Sequence, residues 1–314
     1  MTSPFAIAPG LLGSRHTFTC DQTWVTIELP SPEDLERGRP DERRAKIFSW
    51  RREGGQDVPT GVAIYSVDIL VQLPSALAVP VQILRQPANA YDVLTKAQQE
   101  QLESLAQTQP IVERAFDVWV RTLRWKAMNP FLCRQQALGP ESGWGTRLLE
   151  VTTRHHFWIA TQVIEVDYGR QITLQQWEET QHALHTEVTP PVYYDLLFDA
   201  HAHLRMKDYQ RSVVDCAVAC ECYLRAEIMR RMPTSLTSNV TTYVDEANIR
   251  QVLTRFFPET LGAEARRAFD RISSSIHRLF NARNQILHSG RELSLTGNDC
   301  QTYLNAAEKL IVIT

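Results

Sequence analysis

The sequence predicts an α+β chain, with a β-rich N-terminal domain interrupted by one helical insertion and then an all-α bundle. Three observations lead there. Period-two alternation rich in Val, Ile, Thr and aromatic residues dominates the first part of the chain. Hydrophobic spacing of three and four takes over in the remainder. The change falls at EVTPP, where Pro190 and Pro191 interrupt any regular element, so the two domains are set at 1–188 and 189–314.

In chain order, HTFTCDQTWVTIEL, GVAIYSVDILVQL and RLLEVTTRHHFWIATQVIEVDYGRQITL read as strands separated by turn residues. The helical insertion runs from about Tyr91 to Met128 and places Val112, Phe116, Val120 and Leu123 on one face. The stretch ERGRPDERRAKIFSWRRE (36–53) reads as a solvated, charged loop. Its functional alternative is an RNA-contacting loop, with Arg43, Arg44, Arg51 and Arg52 as the contacts. His155 and His156 are neighbours in a strand-like segment and project to opposite faces, so they do not share a metal.

After the proline pair the pattern is helical. VYYDLLFDAHAHLRM comes first, then DYQRSVVDCAVACECYLRAEIMRR with Asp208 as its N-cap. A polar stretch, PTSLTSNVTTYVDEA, leads to the short helix NIRQVLTRFF. The long helix GAEARRAFDRISSSIHRLFNARNQILH ends at Ser289–Gly290, and DCQTYLNAAEKLIVI follows it.

The bulk properties narrow the function classes. A chain of 314 residues, 43% hydrophobic and 22% charged, is ordinary for a soluble protein with room for two cores. The net charge of −3 does not demand nucleic acid, so any RNA contact is local. No apolar run reaches membrane-spanning length, and MTSPFAIAPGLLGSRH lacks the charged segment of a signal peptide. The expectation is a cytoplasmic protein that does not enter a membrane. Cys216, Cys220 and Cys222 sit among Ala and Val and read as small core residues. Zinc spacing is lacking around them, and neither a metal nor another cofactor is expected.

Two helices carry a charge inside an apolar stripe. Phe269, Ile272, Ile276 and Leu279 form a seam whose continuation is Arg283 and then Ile286. Val214, Ala217, Leu224 and Ile228 form another, interrupted by Glu221. A charge in such a place calls for a partner, and the economical expectation is that Glu221 and Arg283 hold each other. The alternative is that each side chain reaches past its seam to water.

Around Arg283, Asn284 and His288 lie four apart on one helix face, and His277 and Ser273 extend that face as a polar stripe. His288 falls in the last turn, where the helix dipole favours the protonated ring. A fixed cation, a neutral hydrogen-bonding group and a titratable acid or base are the parts needed to cleave a phosphodiester without a metal. Arg271 and His277 have similar spacing, but Ile272 follows that Arg and the pair sits mid-helix.

RNQILH resembles the Arg-x4–6-His motif of the HEPN superfamily (higher eukaryotes and prokaryotes nucleotide-binding), including the polar residue directly after the Arg. LLFDAHAHLRMKDYQRSVVDCAVACECYLRAEI is similar to the first helices of its Apea-like branch, with a Glu at the place of Glu221. The resemblance covers roughly 190–314. It implies a four- or five-helix bundle that dimerises and cleaves RNA without a metal, leaving 2′,3′-cyclic phosphate and 5′-OH ends. Carried over, His288 is the general base or acid, Arg283 stabilises the phosphorane and Asn284 orients the phosphate or His288. Glu221 supports Arg283 from behind, and His277 is a further candidate RNA contact. The resemblance also implies a setting in stress response or antiviral defence, with a trigger or partner acting at the N-terminal domain. The other outcome in this superfamily is a bundle without catalysis that serves as a dimerisation, partner-binding or nucleotide-binding module.

Overall fold

The computed structural model describes residues 5–35, 44–72, 95–97, 99–100, 109–130, 132, 148–149, 156–157, 171–231, 242–244, 246–289 and 294–313. The chain divides into two compact units, Met1–Thr189 and Pro190–Thr314. The first carries antiparallel sheets and the second is mostly helical, a mixed α+β chain.

The first unit opens with strands β1 (Phe5–Ile7), β2 (Arg15–Cys20), β3 (Thr23–Glu28), β4 (Ala45–Glu53), β5 (Gln56–Ile64) and β6 (Asp68–Val71). Helix α1 (Gln109–Ala127), the short strands β7 (Leu148–Leu149) and β8 (His156–Phe157), and helix α2 (Leu174–His185) follow. One antiparallel sheet has the order β1-β5-β4 and another β2-β3-β6, while β7 pairs with β8. Two-residue turns close both main hairpins. Asp21–Gln22 and Gly54–Gly55 all adopt positive φ, the backbone that matches the twist of the strands they join.

Two elements differ from the sequence expectation. The segment expected as a loop over 36–53 contains β4, because Ala45 is buried and Ile47 packs on the core while Lys46 and Phe48 face outward. Its charged end, Arg51–Glu53, runs past the core, so nothing there needs to be apolar. Residues 174–185, expected to continue the β-rich region, form α2. The Thr173 hydroxyl accepts from Gln176 N and the Gln176 side chain returns to Thr173 N, and Trp177, Thr180, Ala183 and Leu184 make the buried face. Just before it, Ile172 bridges to Ile7 of β1. Of the first part of the helical insertion, 96–97 and 99–100 are helical, with Gln99 N donating to the Thr95 carbonyl at 2.9 Å. Apart from Thr95, the rest of 91–108, the remainder of the strands expected over 147–170, His155 and Gly290 lie outside the described residues.

A buried polar cluster ties β2 to α1 and α2. The Trp119 indole donates to His16 Nδ1 at 2.8 Å, and His16 Nε2 donates to the Trp177 carbonyl at 3.0 Å. The imidazole also stacks on the Trp177 ring, with centroids 3.7 Å apart. A ring that accepts at Nδ1 and donates at Nε2 is neutral, and burial lowers its pKa to about 4.

In the second unit, α3 (Val192–Arg205) and α4 (Tyr209–Arg231) are followed by α5 and then by α6 (Ala263–Ser289) and α7 (Gly297–Ile311). Helix α5 comprises Ile249–Gln251, a π-helical turn over Val252–Phe256, and Phe257–Glu259. Asp208 caps α4 by accepting from Arg211 N, and Thr296 with Asp299 caps α7. Helix α4 is central and packs against α3, α6 and α7. Its buried face is wider than the expected seam: Ser212, Val213, Cys216, Ala219 and Cys220 join it, and Val214 is half-buried. Small residues there let the neighbouring helices approach closely. Cys216 and Cys220 are therefore core residues, while Cys222 is half-exposed. Tyr223 closes the bundle by donating to the Ile313 carbonyl at 2.8 Å. Among the described residues no helix is long and apolar enough to cross a membrane.

Candidate functional site

The site is built on the C-terminal third of α6. Phe269, Ile272, Ile276 and Leu279 are buried, and the seam continues through Ala282 to the partly buried Ile286. Arg283, one residue on from Ala282, sits on the edge of that seam and is half-buried. The 3.6-residue repeat then turns Asn284 and His288 to the solvent side, where both are exposed. His277 and Ser273, on earlier turns, are half-buried.

The guanidinium of Arg283 has one hydrogen-bond partner among the described residues: its Nη1 donates to Asn284 Oδ1 at 3.0 Å. Its Nε is buried and has no acceptor among the described residues. A buried donor without an acceptor is rare in folded proteins and calls for an explanation. His288 occupies the last turn of α6.

The expected pairing of Glu221 with Arg283 is not formed. Glu221 Oε1 accepts from Arg225 Nη2 at 2.8 Å, one turn along the same helix. Arg225 also donates to the carbonyls of Val244 and Ala247, so the pair fastens α4 to the segment ahead of α5. An i,i+4 cation on the same helix reaches the carboxylate without any tertiary adjustment, and it takes precedence. The spacing of ECYLR held this signal.

The basic segment of the first unit also divides. Arg44 is withdrawn from the surface, bonded to Asp68 at 2.6 Å and Asp34 at 3.3 Å, and is corrected from candidate RNA contact to structural bridge. Arg43 lies outside the described residues. Arg51 and Arg52 are exposed on β4, Arg51 beside Glu53 at 3.2 Å. The tryptophan that the sequence shows among these charges, Trp50, is exposed, and so is Phe48, which a loop over 36–53 gave no reason to single out. The alternation in AKIFSW ahead of a Gly-Gly turn was the available signal.

Among the described residues, no group of three or more His, Cys, Asp or Glu gathers as a metal-binding cluster. No protein-family model, curated protein or solved structure matches the chain.

Proposed function

We propose that the chain is a metal-independent endoribonuclease of the HEPN type, acting as a homodimer on RNA. The observation that carries this reading is Arg283, whose guanidinium leans on Asn284 with a buried Nε lacking an acceptor, on the helix end that exposes His288. A phosphate is an acceptor that suits this cation, whose Nε has none among the described residues.

The chemistry follows from those groups. Neutral His288 takes the proton of a ribose 2′-OH, and the 2′-oxygen bonds to the adjacent phosphorus. The bond from phosphorus to the 5′-oxygen breaks, and a protonated histidine returns a proton to that leaving oxygen. Arg283 stabilises the extra charge on the phosphorane, with Asn284 holding the guanidinium in place. DNA, which has no 2′-OH, is not cut by this route.

Arg283 and His288 stand about 140° apart around the axis of α6. One helix therefore does not enclose a phosphate, whereas two copies facing each other supply a cation and a histidine from either side. Leu287, 50% exposed beside His288, is an apolar side chain that such pairing covers. The N-terminal unit then selects RNA or senses a trigger.

The test is RNA cleavage in EDTA, wild type against His288→Ala, with product ends identified. His288 is exposed, so the variant keeps its fold. Cyclic phosphate ends that disappear in the variant support the nuclease. A folded dimer that cuts no RNA across varied substrates, with no His288-dependent toxicity in cells, overturns it in favour of an interaction module.

A further inference from the structure

Helix α5 carries two arginines that the chain around them leaves unpaired. Arg250 and Arg255 are both exposed, and neither guanidinium has an ion pair or a hydrogen bond among the described residues. Several other helical arginines of the bundle meet a carboxylate within one turn: Arg225 with Glu221, Arg230 and Arg231 with Glu227, and Arg266 with Asp270. Carboxylates stand at that spacing here too, Glu246 four residues before Arg250 and Glu259 four residues after Arg255. Neither pair forms.

The backbone is the reason. The chain is not helical at Asn248, where ψ is 136°, so Glu246 does not share a helix with Arg250. Further on, Val252–Phe256 form the π-helical turn, with Phe257 N donating to the Val252 carbonyl five residues back. That wider turn displaces Glu259 from the place over Arg255 that a regular helix would give it. Pro258 follows, with no N–H to offer the ladder. Val252, Leu253, Phe257 and Pro258 fix the inner side of the turn in the core, Phe257 meeting Tyr223 and Phe269 edge to face.

On the outer side the same turn gathers polar groups. Residues five apart on a regular α-helix point about 140° away from each other. The π turn brings Arg250 and Arg255 to one side, where with Asn248, Gln251 and Thr254 they line a hollow of about 310 Å³. Among the described residues that line it, none is apolar and none is acidic. Asn248 Oδ1 accepts from Arg250 N at 2.8 Å, which leaves the side-chain NH2 as a donor. The Thr254 hydroxyl donates to the Arg250 carbonyl at 2.8 Å and fastens one turn to the next. Two like charges gathered on one helix face repel, and an anion between them relieves that repulsion.

The lining selects the occupant. A guanidinium fork matches the oxygens of a phosphate, two donors to two acceptors. Sites for small molecules enclose their ligand and are mostly apolar. This hollow is open, since every described residue lining it is exposed, and it offers no apolar wall. Cations and amides on an open surface suit the backbone of a strand passing across, which they position without reading its sequence.

We propose that the hollow on α5 binds the phosphates of a nucleic-acid strand, with Arg250 and Arg255 taking the phosphate oxygens and Asn248 and Gln251 donating beside them. None of these residues belongs to the Arg283–His288 site, so this proposal and the nuclease reading fail separately.

The test uses the full chain carrying His288→Ala, so that RNA survives, and a short labelled single-stranded RNA. Fluorescence anisotropy over a range of KCl concentrations gives the affinity and its salt dependence. Arg250→Gln and Arg255→Gln are each expected to lower the log–log slope by roughly 0.7, and the double variant by roughly 1.4. Arg250→Lys keeps the slope but binds more weakly, because the charge remains and the fork does not. Both positions are exposed, so an unchanged melting temperature is expected throughout. A double variant whose affinity and slope match the parent overturns the proposal, and so does a chain that binds no strand. Arginine-dependent stabilisation by inorganic phosphate without strand binding also overturns it, and assigns the hollow to a small phosphate compound. Strand binding through these arginines by a wild type that never cleaves sinks the nuclease reading alone.

Discussion

Acidification provides a direct test of the buried cluster in the first unit. His16 is held neutral between the Trp119 indole and the Trp177 carbonyl, and its pKa falls from 6.5 to about 4 because burial disfavours the imidazolium. The folded state thus takes up its proton at lower pH than the unfolded chain does. With more protons on the unfolded state between those values, stability is full above pH 6.5 and drains away as pH falls towards 4. The shift from 6.5 to about 4 corresponds to roughly 3 kcal/mol, a large share of a small domain's stability. The assay is urea unfolding followed by tryptophan fluorescence. All seven Trp of the chain precede residue 190, so the signal reports the first unit alone. Carboxylates also titrate in this window, so the readout is the difference between wild type and His16→Gln. The variant is less stable at pH 7.5 but loses about 3 kcal/mol less on going to pH 4. An unchanged pH dependence in His16→Gln, or a His16 ring that titrates near 6.5 by NMR, would refute the reasoning.

Two further changes test the corrected ion pairs. Arg44→Ala leaves Asp34 and Asp68 without their shared cation and should cost the first unit about 2 kcal/mol, below the value for a fully buried pair because Asp34 keeps some solvent. A change under about 0.5 kcal/mol in urea unfolding would show that the bridge is incidental. Glu221→Ala should destabilise the second unit slightly, by about 0.5 kcal/mol, since Arg225 keeps its carbonyl contacts at Val244 and Ala247. It should leave any RNA cleavage within about threefold of wild type, because a factor of ten needs 1.36 kcal/mol at the transition state. A selective loss of cleavage by a fully folded variant would place Glu221 behind Arg283 after all.

The helical half was the more legible because its information is local. The seam of α6 and the Asp208 cap follow from a 3.6-residue repeat and short-range hydrogen bonds. Helix α2 carried a readable signal too, Thr173 with Gln176 in capping-box spacing, which was obscured by the strand-like run before it. Strand β4 was harder, since its charged end looks like a loop until β5 pairs with it.

By itself the sequence determined the mixed class and the core face of α6 as far as Leu279, whereas the structure continues that face through Ala282 and leaves Arg283, expected within it, at its edge. Only the tertiary structure decided which carboxylates meet which cations. Arg44 meets Asp34 and Asp68 from separate parts of the first unit, whereas Glu221 found Arg225 one turn along its own helix, a pairing the spacing already held. Nor does any local pattern foretell that His16 meets Trp119 and Trp177, 103 and 161 residues away. The reason is one of range. Periodicity and capping act within a few residues, whereas a buried polar group finds its partner only when the distant elements that carry it have been folded together.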